Sequence, residues 1–239
     1  MDQELFTAVD HYLAHKLIAD DGLAREALKA NSEAGLPSID VSPTQGKLLH
    51  LLARISGAKR ILEVGTLGGY STIWLARALP KDGVLVTLEL NPKHAEVAAA
   101  NIRRAGLSHL VDLRVGPAVD SLAQLHAGKA APFDFIFLDA DKPNNPVYLD
   151  WAVKLSHPGT VIIGDNVIRE GAVIDANDAD PSVVGTRLFL EKLGSHPRLD
   201  ATAIQTVGSK GHDGFALAIV KAEAEGKSGR PDGKEASQN

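Results

Sequence analysis

Residues 60–71 read RILEVGTLGGYS: a short run of Ile, Leu and Val that ends in a turn with glycines at positions 65, 68 and 69. An apolar run without polar alternation has the pattern of a strand buried on both faces, as in a parallel sheet. Glycines at a strand-to-helix turn let a ligand come close to the backbone, and the amides that open the next helix favour an electronegative group. Strand, glycine turn and helix in that order predict a nucleotide-type site in an open α/β sheet.

Working outward, the same kind of run recurs as GVLVTLEL (83–90), LVDLRVG (110–116), FDFIFLDA (133–140) and GTVIIGD (159–165). Helical stretches separate them. The clearest spans Asn91 to Gly106, with Asn as N-cap, Pro92 in the first turn, an Ala-rich body and Gly just past the end. Strands alternating with helices predict a parallel sheet covered on both faces. Toward the C-terminus GTRLFLEKLGSH (185–196) reads as a helix. ATAIQTVG (201–208) and DGFALAIV (213–220) follow with only SKGH between them, too short for a parallel crossover, so they should form an antiparallel pair at one sheet edge. On the N-terminal side, residues 3–31 keep helical spacing from Leu5 to Leu28, and KLLHLLARISG (47–57) reads as a second helix, so that two helices precede the first strand. The expected organisation is one domain over residues 1–221, with a helical extension over about 1–57, and a disordered tail over 222–239, which has no aromatic or β-branched residue.

Composition narrows the function classes. At 44% hydrophobic and 23% charged, the 239-residue chain has the balance of a folded globular protein. With 25 Lys and Arg against 30 Asp and Glu, its net charge of −5 speaks against nucleic acid as a partner. The absence of cysteine excludes disulfides, thiolate metal sites and cysteine nucleophiles. The first residues lack the basic start and apolar core of a signal peptide, and no apolar run approaches the roughly 20 residues that span a bilayer. A cytoplasmic protein without membrane contact is expected.

In an open α/β sheet the chemistry sits at the carboxyl ends of the strands. Glu89 ends the second strand, 24 residues after Gly65, where a carboxylate can accept hydrogen bonds from both hydroxyls of a ribose. The bland alternative is a packing turn with a solvated Glu. The dinucleotide fingerprint would need glycines at positions that hold Leu67 and Tyr70, which counts against a nicotinamide-dependent oxidoreductase. Asp139, Asp165 and Asn166 lie at two further strand ends and offer the hard oxygen ligands that Mg²⁺ or Ca²⁺ prefers. Each alone could merely cap a helix, but together at one sheet edge they point to a cation. Lys142 lies three residues past Asp139. An ammonium near a divalent cation loses its proton more readily, which suits a general base. His11 and His15 are explained by an amphipathic helix face, and His212 with Asp213 has no nucleophile to serve.

These stretches resemble the class I S-adenosylmethionine-dependent O-methyltransferases that include catechol and caffeoyl-CoA O-methyltransferases, with closest similarity to their small bacterial members. The matching segments are VSPTQGKLLHLLARISGAKRILEVGTLGGYSTIWLARAL, LVTLELNP, VGPA, FDFIFLDADK, IIGDNVIREGAV and DGFALAIV, within residues 5–221. The resemblance implies a Rossmann-like methyltransferase fold, a mostly parallel seven-stranded sheet with an antiparallel final strand. It implies that Val41, Glu63, Gly65, Thr66 and Ser71 hold the methionine end of S-adenosylmethionine, that Glu89 binds the ribose, and that Ala118 lies beside the adenine. By the same similarity Asp139, Asp165 and Asn166 bind a divalent cation, Mg²⁺ first and Ca²⁺ or Mn²⁺ as alternatives, with Asp139 also near the methionine portion. Lys142 matches the base. The expected activity is methyl transfer to a hydroxyl of a small aromatic vicinal diol, catechol-like or caffeoyl-type, shaped by the N-terminal helices and residues 167–181, in a homodimer. The rival readings are the oxidoreductase and a non-catalytic sensor that binds S-adenosylmethionine.

Overall fold

The structure, a computed structural model, describes residues 2–18 and 22–222. One sheet contains β1 (Arg60–Val64), β2 (Val84–Glu89), β3 (Val111–Val115), β4 (Phe133–Leu138), β5 (Ser156–Asp165), β6 (Leu199–Gly208) and β7 (Gly211–Val220). Their spatial order is β3-β2-β1-β4-β5-β7-β6. The pairs from β3 to β5 are parallel, whereas β7 lies antiparallel between β5 and β6. The terminal hairpin is thus inserted, with β6 as the edge, because a two-residue turn reverses the chain while β7 takes the place beside β5.

Both faces of the central strands are apolar. Leu62, Val64, Val86, Leu88, Ile136 and Leu138 pack on one side against α6 (Ala118–Ala127), α7 (Asn145–Lys154) and α8 (Pro181–Ser195). Ile61, Leu85, Phe135 and Phe137 pack on the other against α2 (Gly22–Glu33), α3 (Pro43–Ile55) and α4 (Tyr70–Ala76). Adjacent positions of a strand face opposite sides, so two-sided burial requires the unbroken apolar runs seen in the sequence. The predicted 91–106 helix is α5 (Pro92–Arg104), capped by the Asn91 side chain, which accepts a bond from the Lys93 amide.

Three helices rather than two precede β1. Residues 3–31 do not form one helix: α1 (Gln3–Leu17) ends at Ile18, whose backbone is extended, and α2 starts at Gly22. The apolar spacing is continuous across this break, so periodicity alone could not locate it. The predicted tail lies outside the described residues, apart from Ala222. Among the described residues no helix is long and apolar enough to cross a membrane.

Strand order reverses on either side of β1: β2 lies on one flank and β4 on the other. The crevice above such a reversal is where ligands bind in open α/β sheets. The ends of β1, β2, β4 and β5 converge there.

Candidate active site

The turn after β1 is built around close approach. Gly65 has φ +102°, and a Cβ at this position would collide with the backbone carbonyl of Asp139 from the neighbouring β4 end. Only glycine meets both conditions. Beneath the turn, Glu63 is fully buried and its carboxylate accepts three hydroxyl bonds: Ser71 Oγ at 2.6 Å, Thr72 Oγ1 at 2.5 Å and Thr87 Oγ1 at 2.7 Å. Burial pushes the Glu63 carboxyl up to about 7, against the pull of those hydroxyls, and the Asp139 charge adds to the rise. A second buried relay runs from α5, where Asn101 Nδ2 donates to the Gly68 carbonyl (2.8 Å) and to Asn31 Oδ1 (3.0 Å). Asn31 Nδ2 in turn donates to Asp40 Oδ1 at 2.9 Å.

Above the turn lies a cleft of about 560 Å³, within the usual range for small-molecule sites. Val41, Gly65, Ser71, Glu89, Ala118 and Asp139 line it as expected from the sequence. Glu63 and Thr66 do not. Their side chains lie behind the wall, where Glu63 holds Ser71 and Thr66 Oγ1 bonds Thr87 Oγ1 at 2.6 Å, so they brace the turn from below. At one end, Glu89 Oε2 accepts the amides of Thr66 (3.2 Å) and Leu67 (2.8 Å), while Oε1 accepts that of Asn91 (2.9 Å). A carboxylate has about four acceptor positions, so this fixed group retains capacity for further hydroxyl donors.

The other end carries opposed charges. Lys142 Nζ lies 2.8 Å from Asp139 Oδ1, and the lysine is 8% exposed. Its place is set by a single 3₁₀ turn, Lys142–Asn144, against which α8 packs so closely that a Cβ on Gly185 would collide with the Lys142 carbonyl. Asp165, also buried, accepts Gln45 Nε2 at 2.7 Å through Oδ2 and the Asn166 amide at 2.8 Å through Oδ1. Burial and then the nearby Asp139 charge raise the Asp165 carboxyl, which Lys142, the Asn166 amide and Gln45 only partly offset. Asn166 lines the same cleft with a left-handed backbone, φ +56°. The described residues contain no group of three or more His, Cys, Asp or Glu side chains arranged for a metal. The candidate set is two carboxylates and one amide, an oxygen-donor chemistry that fits a hard divalent cation.

Several residues of the site carried no sequence signal. His94 reaches Glu89 from α5 (3.4 Å), and Tyr148 of α7 donates to Asp141 Oδ1 at 2.6 Å. Burial, reinforced by Asp141, raises the Tyr148 hydroxyl pKa, so it serves as a fixed donor. Gln45 sits in the VSPTQG segment but 120 positions from its partner, a distance no local pattern spans. Asp213 braces the loop after β5 by accepting the amides of Ile168 and Arg169. His11 and His15 lie on exposed α1, away from the cleft.

A seven-stranded sheet of this order with a charged cleft at its reversal point defines an open α/β fold of the nucleotide-binding type, and comparison with known proteins makes the class specific. The sequence profile of the O-methyltransferase family matches residues 15–219. Catechol O-methyltransferase of Niastella koreensis is 54% identical over 221 residues, which cover 92% of this chain and 100% of that protein. The crystal structure of an O-methyltransferase from Bacillus cereus in complex with SAH is 59% identical, covering 91% of this chain and 99% of that one, with a TM-score of 0.90. The O-methyltransferase of tomaymycin synthesis from Streptomyces achromogenes, solved in complex with SAM, is 51% identical over 93% of this chain and 100% of its own, also with a TM-score of 0.90. The chain belongs to the O-methyltransferase family, which displaces the oxidoreductase reading.

Proposed function

We propose that this enzyme transfers the methyl group of S-adenosylmethionine to one hydroxyl of a small aromatic vicinal diol, catechol-like or caffeoyl-type, with a divalent cation beside the acceptor. The observation that carries the reading is one cleft lined by Glu89 and by Asp139, Lys142 and Asn166, with the buried Asp165 bonded to the Asn166 amide beside it. Glu89 takes the ribose hydroxyls, Ala118 flanks the adenine, and Val41, Gly65 and Ser71 face the methionine portion. Glu63 and Thr66 act through Ser71 and the turn. S-adenosylmethionine supplies a methyl carbon on a sulfonium that is open to in-line attack by oxygen.

Asp139, Asp165 and Asn166 are the residues that would hold Mg²⁺, with Ca²⁺ or Mn²⁺ as alternatives. Such a cation, when bound, lowers the pKa of a chelated hydroxyl and orients the diol. Lys142 in its neutral form takes the hydroxyl proton on Nζ; the oxygen forms the new bond to carbon while the sulfur keeps the electron pair of the bond that breaks. Asp139 holds Lys142 in place. We further infer a homodimer, since α1 buries none of its side chains and exposes Leu5, Val9, Tyr12 and Leu17, and a cytoplasmic location, which suits a chain without cysteine.

The acceptor reading is tested by turnover on a panel of catechol, a caffeoyl ester, phenol and the monomethyl ether of catechol. Methylation of the two diols alone is expected. Equal turnover of phenol would show that two adjacent hydroxyls are not required.

A further inference from the structure

We propose that Arg169 determines acceptor specificity by selecting an aromatic diol that carries an anionic group, a carboxylate in the simplest case, over its neutral counterpart. This inference rests on the acceptor reading above. Arg169 lines the cleft at the end that holds Lys142, Tyr148 and Asn166, three residues past Asn166. Among the described residues its guanidinium makes no hydrogen bond or ion pair, and its Nε is buried without a partner. Arg169 is half-buried, with only Nε shut off from water, so its outer nitrogens remain open to a ligand, and a planar guanidinium meets a carboxylate with two parallel bonds.

The neighbouring charges are already engaged inside the chain. Lys142 is held by Asp139 at 2.8 Å. Asp141 accepts Tyr148 Oη and Asn144 Nδ2, and Asp165 accepts Gln45 and the Asn166 amide. Arg169 is therefore the cation at this end that has no partner among the described residues.

The backbone presents it there. Asn166, Arg169 and Glu170 all have left-handed φ, +56°, +53° and +57°, conformations that cost non-glycine residues of order 1–3 kcal/mol each and persist only where the surroundings enforce them. Enforcement comes from β7, where Asp213 Oδ1 accepts the amides of Ile168 at 2.9 Å and Arg169 at 3.2 Å. A pinned, strained loop that sets an unpaired cation in the wall of a cleft is arranged for recognition.

The test is calorimetric titration of the protein loaded with S-adenosylhomocysteine and Mg²⁺, using 3,4-dihydroxybenzoate and its neutral amide. Wild type is expected to bind the acid about 10- to 100-fold more tightly than the amide. Arg169→Gln should abolish that ratio, and Arg169→Lys should retain part of it. Equal affinity of wild type for acid and amide, or no binding of the acid, overturns the inference without any variant. So does a preference that survives in an Arg169→Gln protein of unchanged melting temperature. Methyl transfer to the amide is measured separately: its absence, with the binding preference intact and lost on substitution, is a failure of the acceptor reading and not of the role of Arg169.

Discussion

The two ends of the cleft solve opposite problems. Around Glu89 and Glu63 every carboxylate meets N–H or O–H donors supplied by the chain: the amides of Thr66, Leu67 and Asn91, and the hydroxyls of Ser71, Thr72 and Thr87. Around Asp139 and Asp165 the carboxylates crowd each other, and one ammonium, Lys142, offsets them. The first end is a finished, preorganised cradle, and the second is completed by what binds to it. Binding of the methyl donor and transfer of the methyl group should therefore separate experimentally.

The largest expected effect breaks the second end alone. Asp165→Ala should lower kcat/KM for a catechol by about a thousandfold or more while affinity for S-adenosylmethionine stays within about threefold, read by turnover and calorimetry. A parallel loss of both would mean that the ends are not separable. Next, Gly65→Ala puts a side chain onto the Asp139 carbonyl at φ +102° and should weaken binding of S-adenosylmethionine about tenfold or more, with lost stability of about 2–3 kcal/mol. Near-normal affinity in that variant would show that the turn is not the cradle.

A smaller effect sharpens the account of Glu63. Its folded pKa, about 7, lies above the ordinary 4.5, so the folded state binds the proton more tightly. Its stabilising contribution is complete below about pH 4.5 and is lost as pH rises through 7. The stability of wild type relative to Glu63→Gln, which does not titrate, should thus fall by about 2 kcal/mol between pH 5 and pH 8 in urea titrations. A difference that does not vary with pH contradicts the buried carboxyl. The smallest effect lies remote from the cleft. Asp134 accepts the amides of Lys59 and Arg60 and a bond from His157. Burial raises its pKa, but those donors outweigh it and hold it below the ordinary 3.8. Asp134→Ala should cost about 1–2 kcal/mol at pH 6, less as pH falls below 3.8, and leave both ends of the cleft unaffected.

How much of this was legible in the sequence follows the same division. The sheet was readable because two-sided burial forces runs that are mostly apolar, and RILEV, FDFIFL and VLVTLE carry only Arg60, Glu63, Asp134, Thr87 and Glu89 besides. The strand-end residues Gly65, Glu89, Asp139 and Asp165 were readable because a parallel sheet brings such ends together. The break between α1 and α2 was not, since apolar spacing continues through it. Nor were Gln45, Asn31 and Asp213, whose meaning lies in a bond to a residue far along the chain. Glu63 was legible as important but not as hidden: position in a strand shows which face a side chain takes, not whether the layer above it covers it. Arg169 was readable only as one polar residue in a polar loop, because its significance is the partner it lacks.

The most direct test of the central claim is calorimetric titration with S-adenosylmethionine in EDTA and again in Mg²⁺, with turnover of one catechol followed in each buffer. The account predicts saturable binding of the methyl donor in both and turnover in Mg²⁺ alone. Undiminished turnover in EDTA, or no binding of S-adenosylmethionine in either buffer, would contradict it.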